Sequence, residues 1–297
     1  MLSLSSLPLR ALFGCGRGLA VAAPLLLAWS TGRAMARPPS PPPVAPGAAR
    51  PGVLLEELTW EQAEPLLNAE TLVVLPIGAA AKEHGRHLLL KNDLLLADYF
   101  KQRLLDVPKV VVAPTVSYHF YPAFVDYPGS TSLRLETARD LIIDICRSLS
   151  RHGPRRFYAL NTGVSTVRAL EPAREALARD GILLMYTDLL KALEPIESRV
   201  CKQEGGTHAD EGETSMLLYI DPSAVNLPKA ELDFHPKRPG PFTRKPDGPG
   251  TYSPTGAWGN PTLASREKGE QLVEGLVRAL KSDLAALERA PLPVAGR

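Results

Sequence analysis

The sequence predicts an α/β protein, a three-layer α/β/α sandwich around a central, mainly parallel sheet. Three observations carry that expectation. Short, continuous apolar runs alternate with longer segments of helical apolar spacing, and the intervening helices are long enough to serve as crossovers between parallel strands. The composition, 44% hydrophobic and 22% charged over 297 residues, is that of an ordinary globular protein rather than a disordered or fibrous one.

Thr71 to Ile77 (TLVVLPI) is a continuous apolar run, the pattern of a strand buried on both faces. Asn92 to Leu105 places Leu95, Leu96, Tyr99, Phe100 and Leu104 at helical spacing and stops before Pro108. Val110 to Ala113 is a second strand. Thr137 to His152 puts Leu141, Ile142, Ile145 and Leu149 on one helical face and ends at Gly153, a helix stop. Arg156 to Leu160 and Ile182 to Tyr186 are two more strands, separated by a helix over Val167 to Arg179. Met216 to Ile220 is an apolar helix, and Ser265 to Leu287 is the last strong one. In such sheets the site lies beyond the carboxyl ends of the strands. That rule directs attention to the loops after Ile77, Ala113 and Leu160.

The first 52 residues read differently. Arg10 and Arg17 precede an 11-residue apolar stretch, Leu19 to Trp29, and Ala34-Met35-Ala36 follows as a small-x-small cleavage site. This is the pattern of a secretory signal over residues 1–36, too short in its apolar part for the roughly 20 residues of a membrane-spanning helix. Export to a periplasmic or secreted location, with cleavage near Ala36, is the expectation. Leu12 to Cys15 faintly resembles a lipoprotein box, but its hydrophobic stretch follows the Cys. Residues 37–52 (RPPSPPPVAPGAARPG) are proline-rich without apolar periodicity, an extended tether before a single domain over residues 53–297.

The formal charge of +2 is misleading as to the domain. Five of the 34 bases but none of the 32 acids precede residue 53, so the remainder is slightly acidic. Without a basic stripe, a nucleic-acid binder is not expected. Three cysteines make no disulfide framework. Cys146 reads as a small hydrophobe on an amphipathic helix, and pairing with Cys201 stays open.

The loop after the first strand holds Glu83, His84, His87 and Asp93 within eleven residues, the mixed nitrogen and oxygen donor set preferred by zinc and manganese. The same loop also reads as a polar segment whose Asn92 or Asp93 caps the following helix. A second concentration, His208, Glu211 and Glu213, precedes the apolar helix at Met216, where the acids also suit a helix N-terminus.

Together these segments resemble the creatininase (creatinine amidohydrolase) family. That family has a strand ending in Pro-x-Gly-Ser-x-Glu-Gln-His-Gly-x-His-Leu-Pro, with an Asp nine residues after the first His. Here Pro76, Gly78, His84, Gly85, His87 and Leu88 match, and Asp93 is nine after His84. Tyr127 to Leu133 is similar to Phe-Pro-Gly-Thr-x-x-Leu, and His208 to Ser215 to His-Ala-Gly-Glu-x-Glu-Thr-Ser. Gly259 to Pro261 and Ala264 to Glu270 are similar to the C-terminal motif. The matches keep their order from about Leu58 to Leu287.

The resemblance implies the sandwich fold, a site for one or two divalent ions (Zn or Mn), and hydrolysis of a C–N bond in a small cyclic amide or related compound. It also implies a homo-oligomer, commonly a hexamer. By carry-over, His84 and Asp93 are metal ligands, Asp93 bridging if two ions bind, and His208 is the acid/base with Glu213 beside it in the catalytic set. Glu83, His87 and Glu211 complete the expected ligands.

Two departures bear on this. Lys82 stands where the family has a Glu, in a segment one residue longer, so that a bulge would be needed to bring Glu83 into the ligand position. Where the family has Asn-Gly-His-Gly-Gly-Asn, its His being a ligand, the loop here is Asn161-Thr-Gly-Val-Ser-Thr166, without His or acid. Either one ion binds instead of two, or the fold serves as a binder of a small ligand or an oligomeric scaffold without catalysis. Ser165 reads as a nucleophile in an incomplete elbow or, with Thr166, as an N-cap. His119, in an aromatic loop, is a substitute ligand or a wall residue. Trp258 either lines the pocket or packs against a neighbouring subunit.

Overall fold

Strand β2 (Leu72–Ile77) is buried at every residue and lies at the centre of the sheet. The computed structural model describes residues 50–296. The expected signal and most of the tether fall outside them. Residues 50–52, expected as tether, are instead anchored: the Gly52 N–H donates to the Leu105 carbonyl at 2.9 Å and Arg50 to the Gln102 carbonyl at 2.8 Å.

The other strands are β1 (Val53–Leu54), β3 (Val110–Val112), β4 (Arg156–Asn161) and β5 (Leu183–Tyr186), in the spatial order β1-β3-β2-β4-β5 with all pairs parallel. Each link between successive parallel strands needs a crossover. A short helix α1 (Trp60–Ala63) precedes β2, α2 (Asn92–Leu104) joins β2 to β3, α3 (Leu135–Ser150) joins β3 to β4, and α4 (Val167–Arg179) joins β4 to β5.

Alternation along β2 and β4 sorts the core into two layers. Leu72, Val74, Tyr158 and Leu160 face α2, α5 (Leu189–Val200), α6 (Glu211–Ile220) and α7 (Arg266–Arg289). Val73, Leu75, Ile77, Phe157 and Ala159 face α3 and α4, with the free thiol of Cys146 among them. The expected sandwich is therefore present. Among the described residues no helix is long and apolar enough to cross a membrane.

Two elements differ from the sequence expectation for identifiable reasons. Pro195 inside α5 masks a helix that buries Leu189, Leu193 and Ile196. Helix α6 begins at Glu211, one turn before the apolar run, because the Asp210 carboxylate accepts from the Glu213 N–H as its N-cap.

Helices α6 and α7 are in close contact at Gly269, where an added Cβ would collide with the Ser215 carbonyl. Gly269→Ala is expected to lose about 1–3 kcal/mol of stability in urea unfolding, despite the better helix propensity of alanine. A variant as stable as the parent would show that the two helices separate freely at this point.

Candidate metal centre

The register pairs Ile77 with Asn161, which sets the carboxyl ends of β2 and β4 side by side where the sheet's connections diverge. The loop of residues 78–91 leaves from this point. Gly78 begins it because any Cβ would strike the Asp93 carbonyl of α2. The Lys82 N–H donates to the Leu90 carbonyl at 3.0 Å, and Leu94 to Ala79 at 3.1 Å, folding the loop back over the strand end. Gly85, at φ 69°, makes the left-handed turn that follows His84.

His84 is fully buried and held at both ring nitrogens: Nδ1 lies 2.9 Å from the Lys82 carbonyl and Nε2 lies 2.7 Å from Asp93 Oδ1. The other Asp93 oxygen pairs with Lys82 Nζ at 2.7 Å. Lys82 is itself buried, with its ammonium 5.1 Å from the Phe124 ring centroid and 5.5 Å from that of Tyr121. Burial alone would raise the Asp93 carboxyl. The charges of Lys82 and His84 overcome it and hold the group far below the usual carboxylate range. Asp93 is therefore not an N-cap, since Lys91 occupies that position and supplies no side-chain bond.

The second cluster arrives from the start of α6. His208 Nε2 lies 3.1 Å from Glu83 Oε2, and Nδ1 lies 3.8 Å from Glu213 Oε2. Ala209, at φ 47°, holds a left-handed conformation uncommon outside glycine, and its N–H donates to Glu213 at 2.6 Å. The two imidazoles stack obliquely with centroids 5.0 Å apart. His84, His208 and Glu213 thus bring two ring nitrogens and a carboxylate oxygen within 4.8 Å of one another.

The remaining expected ligands are engaged elsewhere. His87 Nε2 lies 2.8 Å from the Thr214 hydroxyl, and burial pushes its pKa down to about 4. Glu211 accepts from the Lys202 and Gln203 N–H groups at 2.8 and 2.7 Å and pairs with Lys268, so it stabilises the approach to α6. Asp93, expected to bridge two ions, has both oxygens taken by Lys82 and His84. Glu83 spends its oxygens on His208 and the Gly85 N–H, and so orients the imidazole rather than joining the cluster. His119 is buried outside the cluster with its ring near Tyr121. The Ser165 hydroxyl donates to the Phe120 carbonyl at 2.8 Å and has no imidazole as partner. Thr166 stands at the N-cap position of α4, as expected, but its hydroxyl donates to Asn161 and the Gly163 carbonyl instead of accepting from a helix N–H.

A cavity of about 190 Å³ opens onto the cluster, lined by Lys82, His208 and Glu213 on its polar side and by Phe124, Phe242 and Trp258 on its apolar side. The Phe124 and Phe242 rings stack at 5.6 Å, and Phe124 lies 4.1 Å from the His208 ring. Lys237, over Trp258 at 5.2 Å, is a pocket residue that sequence reading had no signal for. The volume is below the roughly 300–1,000 Å³ of drug-sized ligand pockets and admits only a smaller molecule.

Residues 56–284 match the family described as creatininase, creatinine amidohydrolase. The chain belongs to the creatininase family. It is 29% identical to creatinine amidohydrolase of Pseudomonas putida over 249 residues, covering 77% of this chain and 94% of the relative. It is 26% identical over 257 residues to a mycofactocin precursor peptide peptidase of Mycobacterium ulcerans, covering 80% and 94%. Among solved structures, a mutant creatininase of the Zn-Zn type matches with a TM-score of 0.67 at 26% identity, covering 80% of this chain and 98% of that one. The curated relatives of this creatininase-family chain are hydrolases.

The donor set of this family member fits a single ion once one of the two His84 ring contacts, Nδ1 to the Lys82 carbonyl or Nε2 to Asp93, is released to it. Donors each 2.0–2.2 Å from one Zn²⁺ lie within about 4.4 Å of each other. The His208 to Glu213 separation of 3.8 Å already meets this, and the widest spacing in the triad, at most 4.8 Å, needs a closure of only a few tenths of an ångström.

Lys82→Met leaves the buried Asp93 carboxylate without its cation and is expected to lose about 3–5 kcal/mol in metal-free urea unfolding. A loss under 1 kcal/mol would mean that the pair is not buried as described. A second expectation concerns Glu197. Burial, reinforced by Asp210 and Glu213, raises its pKa to about 7. Its folded pKa thus exceeds its unfolded one, so its contribution to stability is complete below about pH 4 and lost as pH rises through 7. Between pH 6 and 8 the metal-free protein should lose roughly 1 kcal/mol from this group. Glu197→Gln should flatten that slope, and an unchanged slope would contradict the assignment.

Proposed function

We propose that this creatininase-family protein is a metal-dependent hydrolase that cleaves a C–N bond in a small cyclic amide or related compound, using one divalent ion, Zn or Mn. The observation that carries the reading is the convergence of His84, His208 and Glu213 beside an aromatic-walled cavity of about 190 Å³. Three protein donors with an open position are the arrangement of catalytic rather than structural zinc sites. When bound there, the ion would polarise a carbonyl and lower the pKa of water.

The chain's own residues supply the rest. Glu83 Oε2, 3.1 Å from His208 Nε2, fixes the ring so that Nδ1 faces Glu213 and the cluster. The Ala209 N–H, 2.6 Å from Glu213 Oε2, fixes that carboxylate in turn. Lys82 lines the cavity, and its ammonium would favour a carbonyl oxygen there as that oxygen gains negative charge. Phe124, Phe242 and Trp258 exclude water and offer flat faces to a small planar ring. His208, expected from sequence as the acid/base, is assigned here to the donor set because Glu83 and Glu213 flank its two nitrogens.

Export, with a leader cut near Ala36, and assembly into a homo-oligomer such as a hexamer are part of the same proposal. They rest on the apolar stretch before Ala36 and on the family resemblance. The Asn161 to Thr166 loop, which offers no ligand, favours a second reading as a small-ligand binder without catalysis.

A metal-reconstituted activity screen over cyclic amides, lactams and formamides separates the two. Hydrolysis is expected, with His84→Ala losing at least 100-fold and most bound metal, and Ser165→Ala staying within a few-fold of the parent. Purified protein with no bound or bindable transition metal would sink the enzyme reading. So would a His84→Ala variant that keeps both metal and hydrolysis.

A further inference from the structure

Lys82 is an unusual residue to bury at the floor of a cation site. The residue is 4% exposed, and its ammonium lies 2.7 Å from Asp93 Oδ2 and near the rings of Tyr121 and Phe124. Asp93 is the fully buried carboxylate next to the His84 end of the donor cluster and so the nearest anionic anchor for another cation there, and its other oxygen is already on His84. On the far side of Asp93, the β4–α4 loop turns inward on itself. The Asn161 amide donates to the Gly163 and Thr187 carbonyls, the Thr166 hydroxyl donates to Asn161, and Thr162 donates to the backbone carbonyls of Ile77 and Asp93. No carboxylate or imidazole of this loop faces Asp93 to complete another coordination sphere.

We infer that the Lys82 ammonium is a built-in cation that occupies the position of a second metal ion, so that the pocket carries one divalent charge less than a two-ion site and a permanent N–H donor in its place. The side chain supplies one positive charge and up to three donors at a fixed point, whereas an ion would supply two charges and open coordination positions. A lysine is also independent of metal supply. A dication cannot approach Asp93 while the ammonium is there, because the two charges compete for one oxygen. The inference deepens the proposed function, on which it rests only for the first ion.

The test counts ions rather than turnover. Full-length protein is equilibrated with excess Mn²⁺, freed of unbound metal by gel filtration, and analysed for manganese per chain and by electron paramagnetic resonance. The native chain should hold one ion with the spectrum of an isolated Mn²⁺. Lys82→Glu should hold one more ion than the native chain and show the spectrum of a coupled pair. Where Lys82→Glu does not fold, Lys82→Gln decides: it removes the charge, introduces an amide oxygen on the stem, and should bind the additional ion at least tenfold more tightly than the native chain does. A native count of zero with one ion in Lys82→Glu supports the role of Lys82 while removing the proposed metal-dependent function. Equal counts in the native chain and both variants, or two ions in the native chain, overturn the inference.

Discussion

The buried ion pair between Lys82 and Asp93 is the constraint on which the site depends. Two charges at 4% and 0% exposure are tolerated only because they face each other at 2.7 Å. Breaking such a pair leaves one charge uncompensated in a medium that solvates it poorly. The pair also fixes His84, whose Nε2 leans on the second Asp93 oxygen while the Lys82 carbonyl holds Nδ1. Lysine, aspartate and histidine therefore form one unit that ties the loop after β2 to the first turn of α2.

That unit determines the electrostatics around it. A unit charge 4 Å from another interacts by about 4 kcal/mol at an effective dielectric of 20, and a dication beside an ammonium by roughly twice that. The region next to Asp93 is consequently hostile to a second cation. Negative charge that remains uncompensated lies on the other side, at Glu83 and Glu213 around His208. The same accumulation of acids near α6 raises Asp210 to about 6, through burial first and Glu213 second. The site is thus divided into a half whose carboxylate is paired with a lysine and a half where two carboxylates flank His208.

The fold was legible in the sequence wherever apolar periodicity was strong. β2, β4 and α4 fall within a residue or so of their expected ranges because continuous Val/Leu runs and amphipathic spacing leave little alternative. Helix α5 was hidden by Pro195, and the first turn of α6 by acids that pattern reading takes for a polar loop. At the site, the family motifs assigned the two His/carboxylate segments to one centre, and the fold brings His84, His208 and Glu213 together although the segments are far apart along the chain. Their internal division of labour was not legible. Glu83, His87, Asp93 and Glu211 have the residue types of ligands, but whether a carboxylate faces an ion, an ammonium or a backbone N–H depends on its neighbours in space. Lys82 shows this most clearly, since along the chain it is only an interruption of a motif.

Sequence alone determined the chemistry available: the parallel α/β architecture, the family, and the inventory of imidazoles and carboxylates with their order along the chain. Those follow from local periodicity and residue identity, which do not depend on distance in space. Tertiary structure alone decided which of those groups meet. Closing the loop after β2 onto α2 paired Asp93 with Lys82, and docking α6 against it brought His208 and Glu213 to His84. Electrostatic roles are set by separations of a few ångströms between residues far apart in the chain, and only the packed fold sets those separations.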